Sequence, residues 1–343
     1  MRTSYIKQDS PARTTGLYAV IDLSALKALS MISSFPNKML PSRLLRRAAL
    51  LNFHLVPSIV RAQSTMASPL YTIDKSHFNP EFYKSLRDLW FPGMENATSA
   101  SKEAIQRWFG MGLSDDQKKD FDSQCHGLAI SALDSISPST ISLPAFTDYE
   151  SDISRASELA GPLLAEVRDA KAQDEKSGTE TLLSLILLLD QMPRNIYRAP
   201  SKLPLVYNHY DRLALSLLYS SMSLPQNPVD NAFFKRRPVY TQWLLMPLIH
   251  AEHIPSHDLW EKYTNETELL VKEAGDQEAL DFLAQGRKSQ KQHVEILRKF
   301  GRYPHRNEGL GRESTEEEVE WLKTGETFGV KKGGEEAKVK DEL

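Results

Sequence analysis

The chain has 343 residues, 41% hydrophobic and 25% charged, with one cysteine and a net charge of −3 at neutral pH. That is length and apolar content enough for a real core, while a lone Cys125 excludes an internal disulfide framework and any multi-cysteine metal site. Residues 1–73 hold nine Lys and Arg against Asp9 and Asp22, so the remainder carries about −10, which argues against a general nucleic-acid binder.

Residues 1–73 read as a targeting leader. From Leu23 to Ile73 there is no acidic residue, while Lys27, Lys38, Arg43, Arg46, Arg47 and Arg61 stand among Ser, Leu and Ala, the chemistry of a mitochondrial transit peptide. Two other addresses stay open. A start at Met66 gives a cytoplasmic product, and Lys340-Asp341-Glu342-Leu343 spells an ER-retrieval signal, which acts only on a chain that has entered the lumen. Residues 329–343 otherwise form a charged tail.

Between them, residues 79–328 read as one all-helical domain. Pro80 to Phe91 puts Tyr83, Leu86 and Trp90 on one face. Ser101 to Phe109 is a short second helix, and Ser114 with Gln117 forms a capping box before a helix to about Ser135. Residues 136–149 connect. A helix from about Ser151 to Ala172 crosses Gly161-Pro162 and is expected to kink there.

Thr179-Glu180 opens the most apolar stretch, Leu182 to Leu189, which is hydrophobic nearly all round and therefore predicts a buried central helix. It is too short for the ~20 residues of a bilayer span. Asp190, Arg194 and Arg198 follow at intervals of four, the spacing for a helical ion pair, with Pro193 expected to break or kink the turn. Pro200 and Pro204 predict a turn, Tyr207 to Met222 the next helix, and Pro238 a first helical residue before Pro247 interrupts. His257 to Ala274 and Gln277 to Phe300 are two long helices, His293 on the apolar face of the second. Ser314-Thr315-Glu316-Glu317 is another capping box, with Val319, Trp321 and Leu322 packing inward. Successive antiparallel helical hairpins predict a bundle or short solenoid.

Three ionisable clusters stand out: Asp190, Gln191, Arg194 and Arg198; His250, Glu252 and His253; and Arg302, His305, Arg306 and Arg312. The histidine spacing is not that of a zinc hydrolase, so no metal is assigned. No phosphate-cradling glycine loop, nucleophile elbow or base-stacking platform is present, so no cofactor and no nucleic-acid partner is expected. Three readings remain. Arg194, Arg198, Arg302, Arg306 and Arg312, with Gln191, suit an anionic small molecule or the acidic end of a peptide. His250 or His305, oriented by Asp190 or Glu252, suits acid/base chemistry of a hydrolase type. Alternatively the same groups pair among themselves and lock helices in a protein-interaction module.

Leu188 to Arg198, Phe300 to Asn307 and Leu310 to Thr315, with Leu89-Trp90-Phe91, Trp108-Phe109 and Phe121-Asp122, resemble the domain of unknown function 924 family. The resemblance spans roughly Phe82 to Phe328. It implies an all-helical fold similar to tetratricopeptide-repeat domains and supplies no established activity. The family's His-Ser-Glu-Asp segment is His250-Ala251-Glu252-His253 here, which removes a hydroxyl and a carboxylate. Ala199 replaces a glycine, and the Phe-x-x-Asp segment reads Asn208-His209-Tyr210-Asp211. His250, Glu252, Asp190, Arg194, Arg198, His305 and Arg306 match.

Overall fold

The structure, a computed structural model, describes residues 69–328. The leader up to Ser68, with its processing and start-site expectations, and the tail 329–343 with Lys340 to Leu343 lie outside the described residues. Every regular element is helical, and no strand occurs among the described residues. Tyr71 and Phe78 are already packed into the core ahead of the first helix.

The first three helices are α1 (Pro80–Trp90), α2 (Lys102–Phe109) and α3 (Asp115–Ser135). Each start has a side-chain acceptor for an amide that the helix leaves unpaired. Asn79 Oδ1 takes Phe82 N at 2.9 Å, Ser101 caps α2, and Ser114 and Gln117 form the expected box on α3. Tyr83, Leu86 and Trp90 are buried, as their spacing requires. Cys125 is fully buried in this core, and burial pushes its thiol up to about 12, so it packs as an inert small hydrophobe.

The expected long helix from Ser151 is three pieces: α4 (Tyr149–Ser154), α5 (Ala156–Leu159) and α6 (Gly161–Gln173). The chain bends at Arg155 and Ala160, whose ψ values of 12° and 10° leave the helical well. A single residue, Asp174, then turns α6 back into α7 (Glu175–Ile186), so the two pack as an antiparallel hairpin. Asp174 also caps α7, starting it a turn ahead of Thr179. Gly178 permits the close approach, since a Cβ there would stand 2.6 Å from the Lys171 Cβ and 3.0 Å from its Cα.

The Leu-rich run is buried throughout, as its all-round apolarity predicts. Pro193 does not break it. The helix widens into one π turn, π1 (Leu187–Gln191), and resumes as α8 (Met192–Ile196) with Pro193 inside its first turn. A widened turn removes the clash between a proline ring and the carbonyl four residues back. Residues 200–222, expected to open with a turn, are helical from the start. Pro200–Lys202 is one 3₁₀ turn, followed by α9 (Leu203–Leu205), a second π turn π2 (Val206–Tyr210) and α10 (Asp211–Met222).

The remaining helices are α11 (Ala232–Lys235), α12 (Pro238–Leu244), α13 (Met246–His250), α14 (Ile254–Ala274), α15 (Gln277–Phe300) and α16 (Glu316–Leu322). The last box is shifted by one residue: Thr315 caps α16 and Glu318, not Glu317, completes it. Val319 therefore points outward and is 50% exposed, while Trp321 packs against Phe300. The core is arranged around α7 and α10. Helix α7 carries α1, α6 and α12, whereas α10 packs on α4, α5, α6, α13 and π1.

Candidate functional site

A cleft of about 200 Å³ opens where π2, the first turn of α10, α4, the end of α13 and the 304–312 segment meet. Its wall includes Tyr149, Asp152, Tyr207, Asn208, Asp211 and Arg212, together with His250, Glu252, Arg306 and Arg312. Segments more than a hundred residues apart in sequence are thus brought to one hollow.

His250 is placed by the end of α13: Ala251 turns extended at ψ 133°, so the helix stops and the imidazole projects from its last turn. His250 Nδ1 lies 2.8 Å from Asp190 Oδ2. Asp190 is completely buried in π1, and Gln191 Nε2 donates to its other oxygen. Burial alone would raise the Asp190 carboxyl, yet the His250 contact and the Arg194 guanidinium hold it below the ordinary carboxylate range. Burial, and then Arg194, lower the His250 imidazole against the pull of Asp190. Of this pair, the state supported is ionised Asp190 accepting Nδ1–H from a neutral ring. Nε2 is then the lone-pair nitrogen, with no hydrogen-bond partner among the described residues.

Three guanidiniums of the site each grip one carboxylate on both oxygens. Arg194 holds Asp211 at 2.6 and 2.9 Å, Arg212 holds Asp152 at 2.7 and 3.0 Å, and Arg312 holds Glu252 at 2.6 and 2.9 Å. The helical pair expected between Asp190 and Arg194 is only marginal at 4.0 Å. Arg194 reaches the Asp190 backbone carbonyl instead, at 2.7 Å, because the π turn carries the carboxylate inward toward His250. Glu252 also accepts Tyr303 N at 2.9 Å, and the Arg312 contact keeps its carboxyl low despite burial.

Arg306 differs from these. It is 6% exposed, donates from Nη1 to the His250 carbonyl at 2.9 Å, and lies between the rings of Tyr207 and Tyr303 at 4.6 and 4.7 Å. Its Nε is buried without a partner, Nη2 has no partner among the described residues, and no described carboxylate pairs with it. Burial works against its charge, but Tyr207, Asp211 and Glu252 nearby raise its pKa.

Other residues expected at the site stand elsewhere. Arg198 is at the surface, gripping Asp122. Arg302 grips Glu318 at the base of α16, at 2.7 and 2.8 Å. His305 is not among the residues lining the cleft: it stacks on Tyr303 at 5.5 Å, with its pKa lowered to about 2 by burial. Gln191 supports Asp190 without lining the cleft. His253 does not share a helix with His250. It precedes α14, bonded to Ser256 at 2.8 Å and stacked on Tyr149. Among the described residues no group of three or more His, Cys, Asp or Glu is placed to hold a metal ion.

Sequence reasoning missed Asp152, Arg212, Tyr149 and Tyr207. Nothing in the chain distinguishes Asp152 from its polar neighbours. Tyr207 and Arg212 fall within the expected helix from Tyr207 to Met222, but their partners, Arg306 and Asp152, lie 99 and 60 residues away in the sequence.

A family model described as "Bacterial protein of unknown function (DUF924)" matches residues 86–326. No curated protein and no solved structure matches the chain.

Proposed function

This chain belongs to the DUF924 family, whose function is unknown, and from that premise we propose that the cleft binds a small anionic molecule anchored by Arg306. The observation that carries the reading is a buried cation with no paired carboxylate. In this cleft Asp152, Asp211 and Glu252 are each taken by another arginine, and Asp190 by His250. Asp211 and Glu252 act on Arg306 only at a distance, and burying a charge without a directly hydrogen-bonded counter-charge is costly. A carboxylate or phosphate arriving at Nη2 would offset that cost.

The two tyrosine rings fix the plane of the guanidinium, so less freedom is lost on binding an anion than at an exposed arginine. The size of the cleft suits a short organic acid, a phosphate ester or the acidic end of a peptide. Arg198 and Arg302 play no part in this reading, since Asp122 and Glu318 already neutralise them.

Calorimetric titration with phosphate, succinate and glutarate tests the proposal on the wild type, Arg306→Met and Arg198→Ala. A charge-assisted hydrogen bond contributes ~1.5–3 kcal/mol, so Arg306→Met is expected to bind roughly ten- to a hundredfold more weakly, with Arg198→Ala unchanged. Equal affinity in the wild type and Arg306→Met, with both folded by circular dichroism, overturns it.

A further inference from the structure

We infer that the cleft is catalytic: His250, held by Asp190, acts as general base on a water molecule that attacks an ester of the short acid bound at Arg306. This deepens the binding reading above and rests on it for the anchor. The product side is a free acid and an alcohol.

Four observations converge on this chemistry. First, His250 Nδ1 is engaged by Asp190 at 2.8 Å, while Nε2 belongs to a side chain that lines the cleft and has no partner among the described residues. An imidazole oriented by a buried carboxylate and presenting a lone pair to a cleft has the arrangement a general base needs. Second, Asp190 sits in one π turn, and Tyr207 and Asn208 come from another that packs against it. Such turns sacrifice helical hydrogen-bond geometry and recur at functional sites.

Third, no Ser, Thr or Cys lines the cleft, and its carboxylates Asp152, Asp211 and Glu252 are each clamped on both oxygens by a guanidinium. The lining hydroxyls of Tyr149 and Tyr207 are kept protonated by burial, so the nucleophile argued for is a water molecule activated by His250. Fourth, the exposed Asn208 side chain stands on the cleft wall without a partner among the described residues. Its amide is a donor for the negative charge that develops on a carbonyl oxygen.

The step balances with water as co-reactant. Nε2 takes a proton from water as the water oxygen bonds to the acyl carbon. The bond to the leaving alcohol oxygen then breaks, and the proton on Nε2 passes to that oxygen, restoring the neutral ring. A ring kept neutral by burial is in the protonation state this requires at pH 7.

The test measures 4-nitrophenolate release by the full chain from mono-4-nitrophenyl glutarate and from the uncharged 4-nitrophenyl acetate, alongside calorimetric binding of glutarate. The wild type is expected to prefer the charged ester at least tenfold in kcat/KM. His250→Gln should lose at least a hundredfold in kcat while still binding glutarate. Asp190→Asn should lose rate and move the acid limb of the pH–rate profile, which a merely structural role would not do. On the wild type, diethyl pyrocarbonate should abolish release and glutarate should protect, a result that does not depend on any variant folding. Glutarate binding with no release above buffer, or release undiminished in His250→Gln, overturns the inference and leaves the Arg306 anchor standing. Release that needs His250 but not Arg306 supports the dyad and overturns the anchor.

Discussion

His257 and His293 lie in the interior, outside the cleft lining, and both are buried as neutral rings. His257 Nε2 lies 3.0 Å from the Ala251 carbonyl, and His293 Nδ1 lies 2.9 Å from that of Ser289 while its ring stacks on Phe328. Burial lowers the first to about 4 and the second to about 3. In the unfolded chain a histidine takes up its proton near pH 6.5. Above that value neither state is protonated and stability is unaffected. As the pH falls below it, the unfolded chain binds protons that the folded chain refuses, so stability is lost, for His257 down to about pH 4 and for His293 down to about pH 3. Each contributes a slope of about 1.4 kcal/mol per pH unit in its window. Urea denaturation of His293→Leu between pH 6 and pH 4 should therefore show a shallower pH dependence than the wild type by about that amount. Parallel slopes would refute the assignment.

At the scale of the element, two glycines predict opposite signs for the same substitution. Gly127 lies exposed within α3, in ordinary helical conformation, and a Cβ there would meet nothing within 4 Å. Gly127→Ala removes unfolded-state freedom and should stabilise by about 0.5–1 kcal/mol. Gly301 ends α15 at φ +71°, and a Cβ there would also meet nothing within 4 Å. Its substitution by alanine should cost about 1 kcal/mol from backbone strain alone. Equilibrium denaturation of the two variants decides it, and a common sign would show that packing rather than backbone conformation governs these sites. Capping residues such as Ser114, and the helix ends at Phe109, Ala274 and Phe300, were legible in the sequence because each depends on neighbours within a turn. The π turns were not. Pro193 signals that the helix must adjust, but whether it breaks or widens depends on the side chains packed around it.

For the whole molecule, cohesion centres on Trp90 of α1, which is fully buried against Trp108 of α2, Phe121 of α3 and Trp243 of α12, with ring centroids 6.3, 5.8 and 5.0 Å away. Four helices separated along the chain meet on one indole. Trp90→Ala should cost about 3–5 kcal/mol, read as a lower denaturation midpoint and a weakening of the whole described body rather than of α1 alone. A cost below about 1 kcal/mol would show that the cluster repacks and that the core is held elsewhere. The cleft is lined by no tryptophan. Its walls are joined by bidentate ion pairs, among them Arg212–Asp152 between α10 and α4 and Arg194–Asp211 between α8 and α10.

By itself the sequence determined the all-helical class, the buried Leu182–Leu189 run, several capped helix boundaries and the residue types available for anion or acid/base chemistry. These follow from periodicity, capping and charge, which act over a few residues. Only the tertiary structure decided which charges meet. Asp190 and Arg194 have helical pairing distance in the sequence, yet the π turn gives Asp190 to His250, and folding brings Asp211 to Arg194. Arg198, Arg302, Arg306 and Arg312 are alike as letters, but packing supplies carboxylates to three of them and two tyrosine rings to Arg306. The physical reason is that an ion pair is set by distances across the fold, and those distances exist only once the helices have packed.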